Sequence, residues 1–177
     1  MNTLETPRLI LREFTPADLP RFAELSANPG LMQFSSKGPM SFEDAAALLE
    51  RILAPARLGK PTQFAVIPRE TGELIGYCGF FHQTVDDVEE LEIAYRLHPD
   101  FWGTGIATEA ARAVRDHAFG TLGVERVISI IHPDNVRSQR VAEKNGLTKE
   151  KETEFKTIDV WIYALTRPHW QAARDAG

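Results

Sequence analysis

Apolar and polar positions along the chain switch period several times, and each switch predicts an element. Leu9-Ile10-Leu11-Arg12-Glu13-Phe14 follows Pro7 and reads as a strand. Thr15-Pro16-Ala17-Asp18 then reads as a helix start, with Thr15 as the cap, Pro16 in the first turn and Asp18 at the capping-box position. Leu19, Phe22, Ala23 and Leu25 give that helix its apolar stripe, and Asn28-Pro29-Gly30 ends it. A second helix is expected from Ser41, with Asp44 three residues on and Ala45, Leu48, Leu49, Ile52 and Leu53 at helical spacing. Proline breaks helix interiors, so the expected stop is before Pro55.

The pattern then turns to strands. Phe64–Ile67 and Leu74–Phe81 flank the turn Arg69-Glu70-Thr71-Gly72 and predict a hairpin. Asp86-Asp87 marks another turn before a strand over Leu91–Leu97. A helix is expected over roughly 105–119, with Ile106, Ala110, Ala111, Val114 and Ala118 on its apolar face and Gly120 and Gly123 after it. Val124–Ile131 reads as a strand, Val136–Lys144 as a helix stopped by Asn145-Gly146, and 147–156 and 158–165 as strands before a short tail. The order β-α-α-β-β-β-α-β-α-β-β predicts an α/β (α+β) chain with a mixed sheet of about seven strands and about four helices. No repeat or linker divides it, so residues 1–177 are expected to form one domain.

Composition narrows the function classes. The chain is 43% apolar and 25% charged, which suffices for a core without disulfides or metal. Its net charge of −5 and the absence of a Lys/Arg run argue against nucleic acid. Cys78 is the only cysteine and sits in an apolar run, where a structural thiol is expected rather than a nucleophile or acyl carrier. No Cys/His spacing suggests a metal, and no segment has the length of apolar sequence that a membrane span needs. With no leader at Met1-Asn2-Thr3-Leu4-Glu5, the expected location is cytoplasmic.

The chemistry concentrates where the strand over Leu91–Leu97 gives way to Pro99-Asp100-Phe101-Trp102-Gly103-Thr104-Gly105 and a helix. First-turn amides of a helix lack internal partners and carry the positive end of its dipole. Glycines let a ligand approach the backbone, so this turn is a candidate cradle for a phosphate or pyrophosphate. A turn that binds nothing is the alternative. A nucleoside-triphosphate loop would require Lys-Ser or Lys-Thr after the last glycine, where Ile106-Ala107 stands. A dinucleotide fingerprint would require Gly or Ala where Thr108 stands.

Trp102-Gly103-Thr104-Gly105-Ile106-Ala107 resembles the pyrophosphate-binding signature of GNAT acetyltransferases, with Trp102 at its Gln/Arg position, as in the RimJ/RimL-like branch. Thr6-Pro7-Arg8-Leu9-Ile10-Leu11-Arg12 resembles that branch's first strand, and Asn135-Val136-Arg137-Ser138 with Glu143–Leu147 resembles its late CoA-binding helix. The resemblance covers nearly the whole chain. It implies the GNAT fold, acetyl-CoA as co-substrate, and transfer of acetyl to a primary amine, on a protein N-terminus or a small molecule, in a ternary complex.

It also implies a site. Backbone amides from Trp102 through Gly103, Thr104, Gly105 and Ile106 to Ala107 would hold the pyrophosphate, with the Thr108 hydroxyl beside them. A side chain added at Gly105 is expected to fill that site. The backbone at Leu97 would meet the pantetheine arm, where the strands at 91–97 and 124–131 splay, and its N–H is the candidate oxyanion donor. Asn135 and Ser138 would lie near the thiol end. Glu92 is the candidate base, against the alternative of a solvent-facing strand residue, with Glu90 and His82 weaker candidates. The family's acidic Tyr is replaced by Ala142, which leaves Ser138 to position the thiol and His132 as another proton handler. That replacement keeps a second reading open, a non-catalytic CoA-binding sensor or partner module. Phe34, Phe42, Trp161 and Asp159 are candidates for the acceptor side, and the assembly is expected to be monomer or homodimer.

Overall fold

The protein is described by a computed structural model over residues 3–176, so Met1, Asn2 and Gly177 of the expected domain lie outside the described residues. The elements are β1 (Thr3–Glu5), β2 (Leu9–Glu13), α1 (Leu19–Ser26), α2 (Phe42–Arg57), β3 (Gln63–Pro68), β4 (Gly76–Val85) and β5 (Val88–Leu97). Then follow α3 (Ile106–Gly120), β6 (Arg126–Ile131), α4 (Val136–Lys144), β7 (Thr148–Phe155), β8 (Ile158–Thr166) and α5 (Arg167–Asp175). All eight strands join one sheet in the order β1-β2-β3-β4-β5-β6-β8-β7. Every neighbouring pair is antiparallel except β5 and β6, so the mixed, mostly antiparallel α/β architecture expected from the pattern is the one found.

Strand alternation sorts the core onto the two sheet faces. On β3, Phe64 and Val66 join the cluster under α3, with Val114, Ala118 and Phe119, whereas Ala65 joins the cluster under α1 and α2, with Phe22, Leu49 and Ile52. β4 repeats this, with Cys78 and Phe80 on the α3 face and Tyr77 on the other. All five apolar positions expected on α3 are buried. Ser41 caps α2 by accepting the Asp44 N–H at 3.1 Å, and Asp18 accepts the Thr15 N–H at 2.8 Å to open the turn Pro16–Asp18 before α1.

Four expectations need correction. α2 does not stop before Pro55 but runs to Arg57, because Pro55 sits in the last turn and its carbonyl accepts the N–H groups of Leu58 and Lys60, both at 3.0 Å. β4 starts at Gly76, later than Leu74, and it and β5 run on to the Asp86-Asp87 turn, whose φ values of 48° and 63° make a tight primed hairpin. β1 is an extra edge strand. The tail is helical: α5 stacks Trp170 on Phe119 at 5.3 Å, and Trp170 Nε1 donates to Asp116 at 2.8 Å. One buried apolar residue leaves no periodicity to read.

Candidate functional site

The sheet opens between the one parallel pair among the described residues. β5 and β6 bridge at Glu92 and Ile128 and have no further paired position towards their carboxyl ends. A buried serine spans the start of the gap, with Ser129 Oγ donating to the Ile93 carbonyl at 2.8 Å. The gap is part of a cleft of about 460 Å³, lined by Glu92–Leu97 on one side, Ser129–His132 on the other, and residues of α3, α4 and the α1–α2 connection. That volume lies in the range of small-molecule sites.

Register fixes what β5 offers the cleft. The His98 N–H bonds the Ile75 carbonyl at 2.8 Å, which makes the adjoining Gly76–Leu97 pair the non-bonded kind. Alternation then turns the main-chain N–H groups of Tyr95 and Leu97 away from β4 and towards the gap. The Leu97 carbonyl points the same way and accepts Trp102 Nε1 at 2.9 Å. The Tyr95 phenol donates to the Ser138 carbonyl at 3.0 Å and ties β5 to α4 across the cleft, and burial raises its pKa.

At one end lies the glycine turn. Gly105 is the N-cap of α3 with φ of 82°, and Gly103 has φ of 74°. The left-handed conformation of both is why glycine stands there. The Trp102 N–H is already bonded to the Pro99 carbonyl at 3.0 Å, so the run of uncommitted amides begins at Gly103 and not at Trp102. It continues into the first turn of α3, through Ile106, Ala107 and Thr108, whose N–H groups have no intrahelical partner. Gly103, Gly105, Ala107 and Thr108 line the cleft; Thr104 turns its hydroxyl onto the Phe101 carbonyl at 2.6 Å, and Ile106 sends its side chain into the core. A Cβ at Gly105 would meet Arg8 Nη2 at 3.4 Å, while one at Gly103 would meet nothing within 4 Å. A side chain at Gly105 would therefore meet backbone strain and Arg8 at the edge of the cleft.

Arg8 belongs to a latch that no sequence signal exposed. Its Nη1 donates to the Thr104 carbonyl at 2.9 Å, its Nε to Glu109 at 2.6 Å, and its N–H to Glu109 at 2.9 Å; Thr6 Oγ1 adds a bond to Glu109 at 2.6 Å. Burial acts against the Glu109 carboxylate, but the three bonds it accepts and the Arg8 charge outweigh it and hold its pKa below the usual value. The Thr6-Pro7-Arg8 segment thus fastens the turn and the helix to the first strands.

At the other end, Glu92 is buried, not solvent-facing. Gln83 Nε2 donates to its carboxylate at 2.7 Å, and the Ile130 N–H is a second donor. Burial nevertheless dominates and raises its pKa above the ordinary carboxylate range, against these bonds and the charges of Arg96 and Lys156. Ser138 lines the cleft, and its N–H bonds the Asn135 side chain at 3.2 Å, so Asn135 caps α4 as well as lining the site. His132 and Phe34 face each other in the wall at 5.5 Å. Glu90 is held by Arg126, Phe42 is exposed on α2, Trp161 lies under Lys149, and neither these three nor His82 or Asp159 lines the cleft.

A split parallel pair leading from free helix-start amides to a buried carboxylate can hold a long phosphorylated ligand with its reactive end at Glu92. The acetyltransferase (GNAT) domain model matches residues 8–148. This chain is a GNAT acetyltransferase. It is 32% identical over 172 residues to the uncharacterized N-acetyltransferase YoaA of Bacillus subtilis (strain 168), covering 93% of this chain and 97% of that one. An acetyltransferase structure from Agrobacterium tumefaciens str. C58 superposes with a TM-score of 0.79 at 30% identity, over 93% of this chain and 94% of that one. The fold is also that of RimL, the ribosomal L7/L12 α-N-protein acetyltransferase solved with coenzyme A, with a TM-score of 0.77, 21% identity, and coverage of 93% and 98%. As a GNAT protein the chain is an acyltransferase with acetyl-CoA as co-substrate. No helix among its described residues is long and apolar enough to cross a membrane.

Proposed function

We propose that residues 1–177 act as a single cytoplasmic N-acetyltransferase domain of the RimJ/RimL-like branch, moving acetyl from acetyl-CoA to a primary amine in a ternary complex. The observation that carries this reading is the continuity of one cleft from the free amides at Gly103–Thr108 to the buried Glu92 carboxylate. The amides receive the pyrophosphate, aided by the positive end of α3. The parted edge of β5 receives the pantetheine amides. Acetyl-CoA supplies an activated acyl carbon whose leaving group is a thiolate.

Glu92 takes the proton from the incoming ammonium, directly or through a water, and its raised pKa makes it a stronger base than an exposed carboxylate. The amine nitrogen then bonds to the acyl carbon, the carbon–sulfur bond breaks as the nitrogen gives up its second proton, and the departing thiolate takes that proton up, directly or through water. Main-chain donors aimed into the gap stabilise the carbonyl oxygen as charge develops. Tyr95 suits that role better than Leu97: it is three residues from Glu92, roughly 10 Å along a strand, against roughly 16 Å for Leu97. Leu97 N–H is left to the pantetheine arm, and Ser138 and Asn135 to the opposite wall. Calorimetry with acetyl-CoA, followed by mass spectrometry of an amine panel, tests the reading: one equivalent binds, and free CoA appears in step with acetylated amine. Folded protein giving no heat with acetyl-CoA would sink it.

A further inference from the structure

The cleft contains one cation, Arg96, that the pyrophosphate end does not explain. Eight arginines elsewhere hold a carboxylate within 4.0 Å, from Arg8 with Glu109 to Arg167 with Glu125. Arg96 lines the cleft, half-buried, and meets no carboxylate at that distance among the described residues. Its neighbours are Met32, whose sulfur lies 4.0 Å from Nη1, and the Tyr77 phenol. Met32 and Tyr77 both belong to the core under α1 and α2. Strand alternation therefore puts Arg96 on the sheet face opposite α3, away from the helix start that takes phosphates.

Glu92 and Arg96 share that face of β5, four residues and roughly 13 Å apart at their Cα atoms. Their charges interact, yet they form no ion pair with each other, so a space separates an anionic end from a cationic one. The α1–α2 connection covers this space with Gly30, Leu31 and Phe34, and Arg137 holds that connection by donating to Gln33 at 3.2 Å. A half-buried guanidinium whose described partners are a thioether and a phenol keeps N–H donors and its full charge for a carboxylate. Resting on the acetyl-transfer reading above, we propose that the acceptor is a small amino acid, with its amine towards Glu92 and its carboxylate on Arg96.

The test uses matched acceptors: free amino acids of increasing amine-to-carboxylate spacing, their carboxamides, and a short peptide with a free N-terminus. Thiol release gives kcat/KM for each, and calorimetry gives the acetyl-CoA Kd. Amino acids should exceed their amides by roughly ten- to hundredfold, the range of one charge-assisted contact. Arg96→Gln should abolish that ratio mainly through KM, Arg96→Lys should restore part of it, and acetyl-CoA affinity should stay within about twofold. Amides or the peptide turning over as well as the amino acids would overturn the inference, and so would silence across the panel with acetyl-CoA bound normally. If Arg96→Gln fails to fold, the wild-type ratio decides alone. Loss of acetyl-CoA binding in the wild type would instead remove the underlying reading.

Discussion

The two ends of the cleft are built from different materials. The end we propose for the pyrophosphate is backbone: two glycines in the left-handed region, a helix start, and amides from Gly103 to Thr108 within six consecutive residues. The end we propose for the acceptor is side chain: Glu92 and Arg96 from β5 and Phe34 from the α1–α2 connection line it, with Gln83 from β4 bonding Glu92 from behind and Gln33 bonding Arg137. A backbone site can be assembled within one short segment, although here Arg8, just before β2, holds it in place. A side-chain site depends on the fold bringing distant segments together.

Loss of the carboxylate at the acceptor end should give the largest effect and separates the two ends most sharply. Glu92→Gln keeps the size and one acceptor oxygen for Gln83 and Ile130 but removes the base. Turnover should fall about 10²- to 10³-fold, in the range of general-base removal, with the acetyl-CoA Kd unchanged. The wild-type rate should rise with pH through a pKa above the ordinary carboxylate range, and the variant should lose that limb. Stability gives an independent sign. A carboxyl whose pKa is raised by folding binds its proton more tightly in the native state, so its burial destabilises the protein as pH rises above the unfolded value. Glu92→Gln should therefore raise Tm at pH 8 and lose that advantage below pH 4. Wild-type turnover, or an advantage at acid pH, would remove Glu92 from the mechanism.

At the backbone end, Gly105→Ala tests whether φ of 82° matters to the ligand. A left-handed alanine costs about 1–2 kcal/mol, and relief of the strain would swing the turn away from its amide arrangement. The acetyl-CoA Kd should rise about tenfold, the equivalent of 1.4 kcal/mol, with kcat at saturation little changed. Unaltered affinity in folded protein would mean that the turn is structural only. The latch is a smaller lever on the same end. Glu109→Gln should cost about 1 kcal/mol at pH 7 by loosening Thr6 and Arg8, whose guanidinium is half exposed and solvent-screened. Because folding lowers the Glu109 pKa, its stabilisation is present above the unfolded value and lost as pH falls through the folded one, so the urea midpoints should converge only at a pH below the ordinary glutamate range.

This contrast also governs what the sequence made legible. The α3 stripe, the Asp86-Asp87 turn and the Gly103–Gly105 turn were readable because each is a local pattern with a physical reason. Glu92 was readable as a candidate through its strand segment, but not its burial, which depends on Gln83, Ile130 and the cleft wall. Ser129 announced itself only as a polar break in an apolar run, and Tyr95 as one more strand aromatic; their bonds across the gap are products of topology. The Arg8–Glu109 latch joins residues about a hundred positions apart, and nothing periodic marks it. α5 stayed hidden because Trp170 anchors it alone.

The smallest effect expected is at Ser138, where the two kinds of chemistry meet. Its main chain is already engaged, the N–H by Asn135 and the carbonyl by Tyr95. Only the hydroxyl is left for the leaving sulfur. A serine hydroxyl is a weak acid, so its help is confined to one neutral hydrogen bond, about 1 kcal/mol. Ser138→Ala should thus lower kcat by about three- to tenfold and leave the acetyl-CoA Kd, the α4 cap and the Tyr95 bond intact. A hundredfold loss would mean that the hydroxyl protonates the thiolate and that the side-chain end extends onto α4. No loss at all would assign the wall at Ser138 to its backbone, as at the pyrophosphate end, and would leave the thiolate to be protonated by solvent.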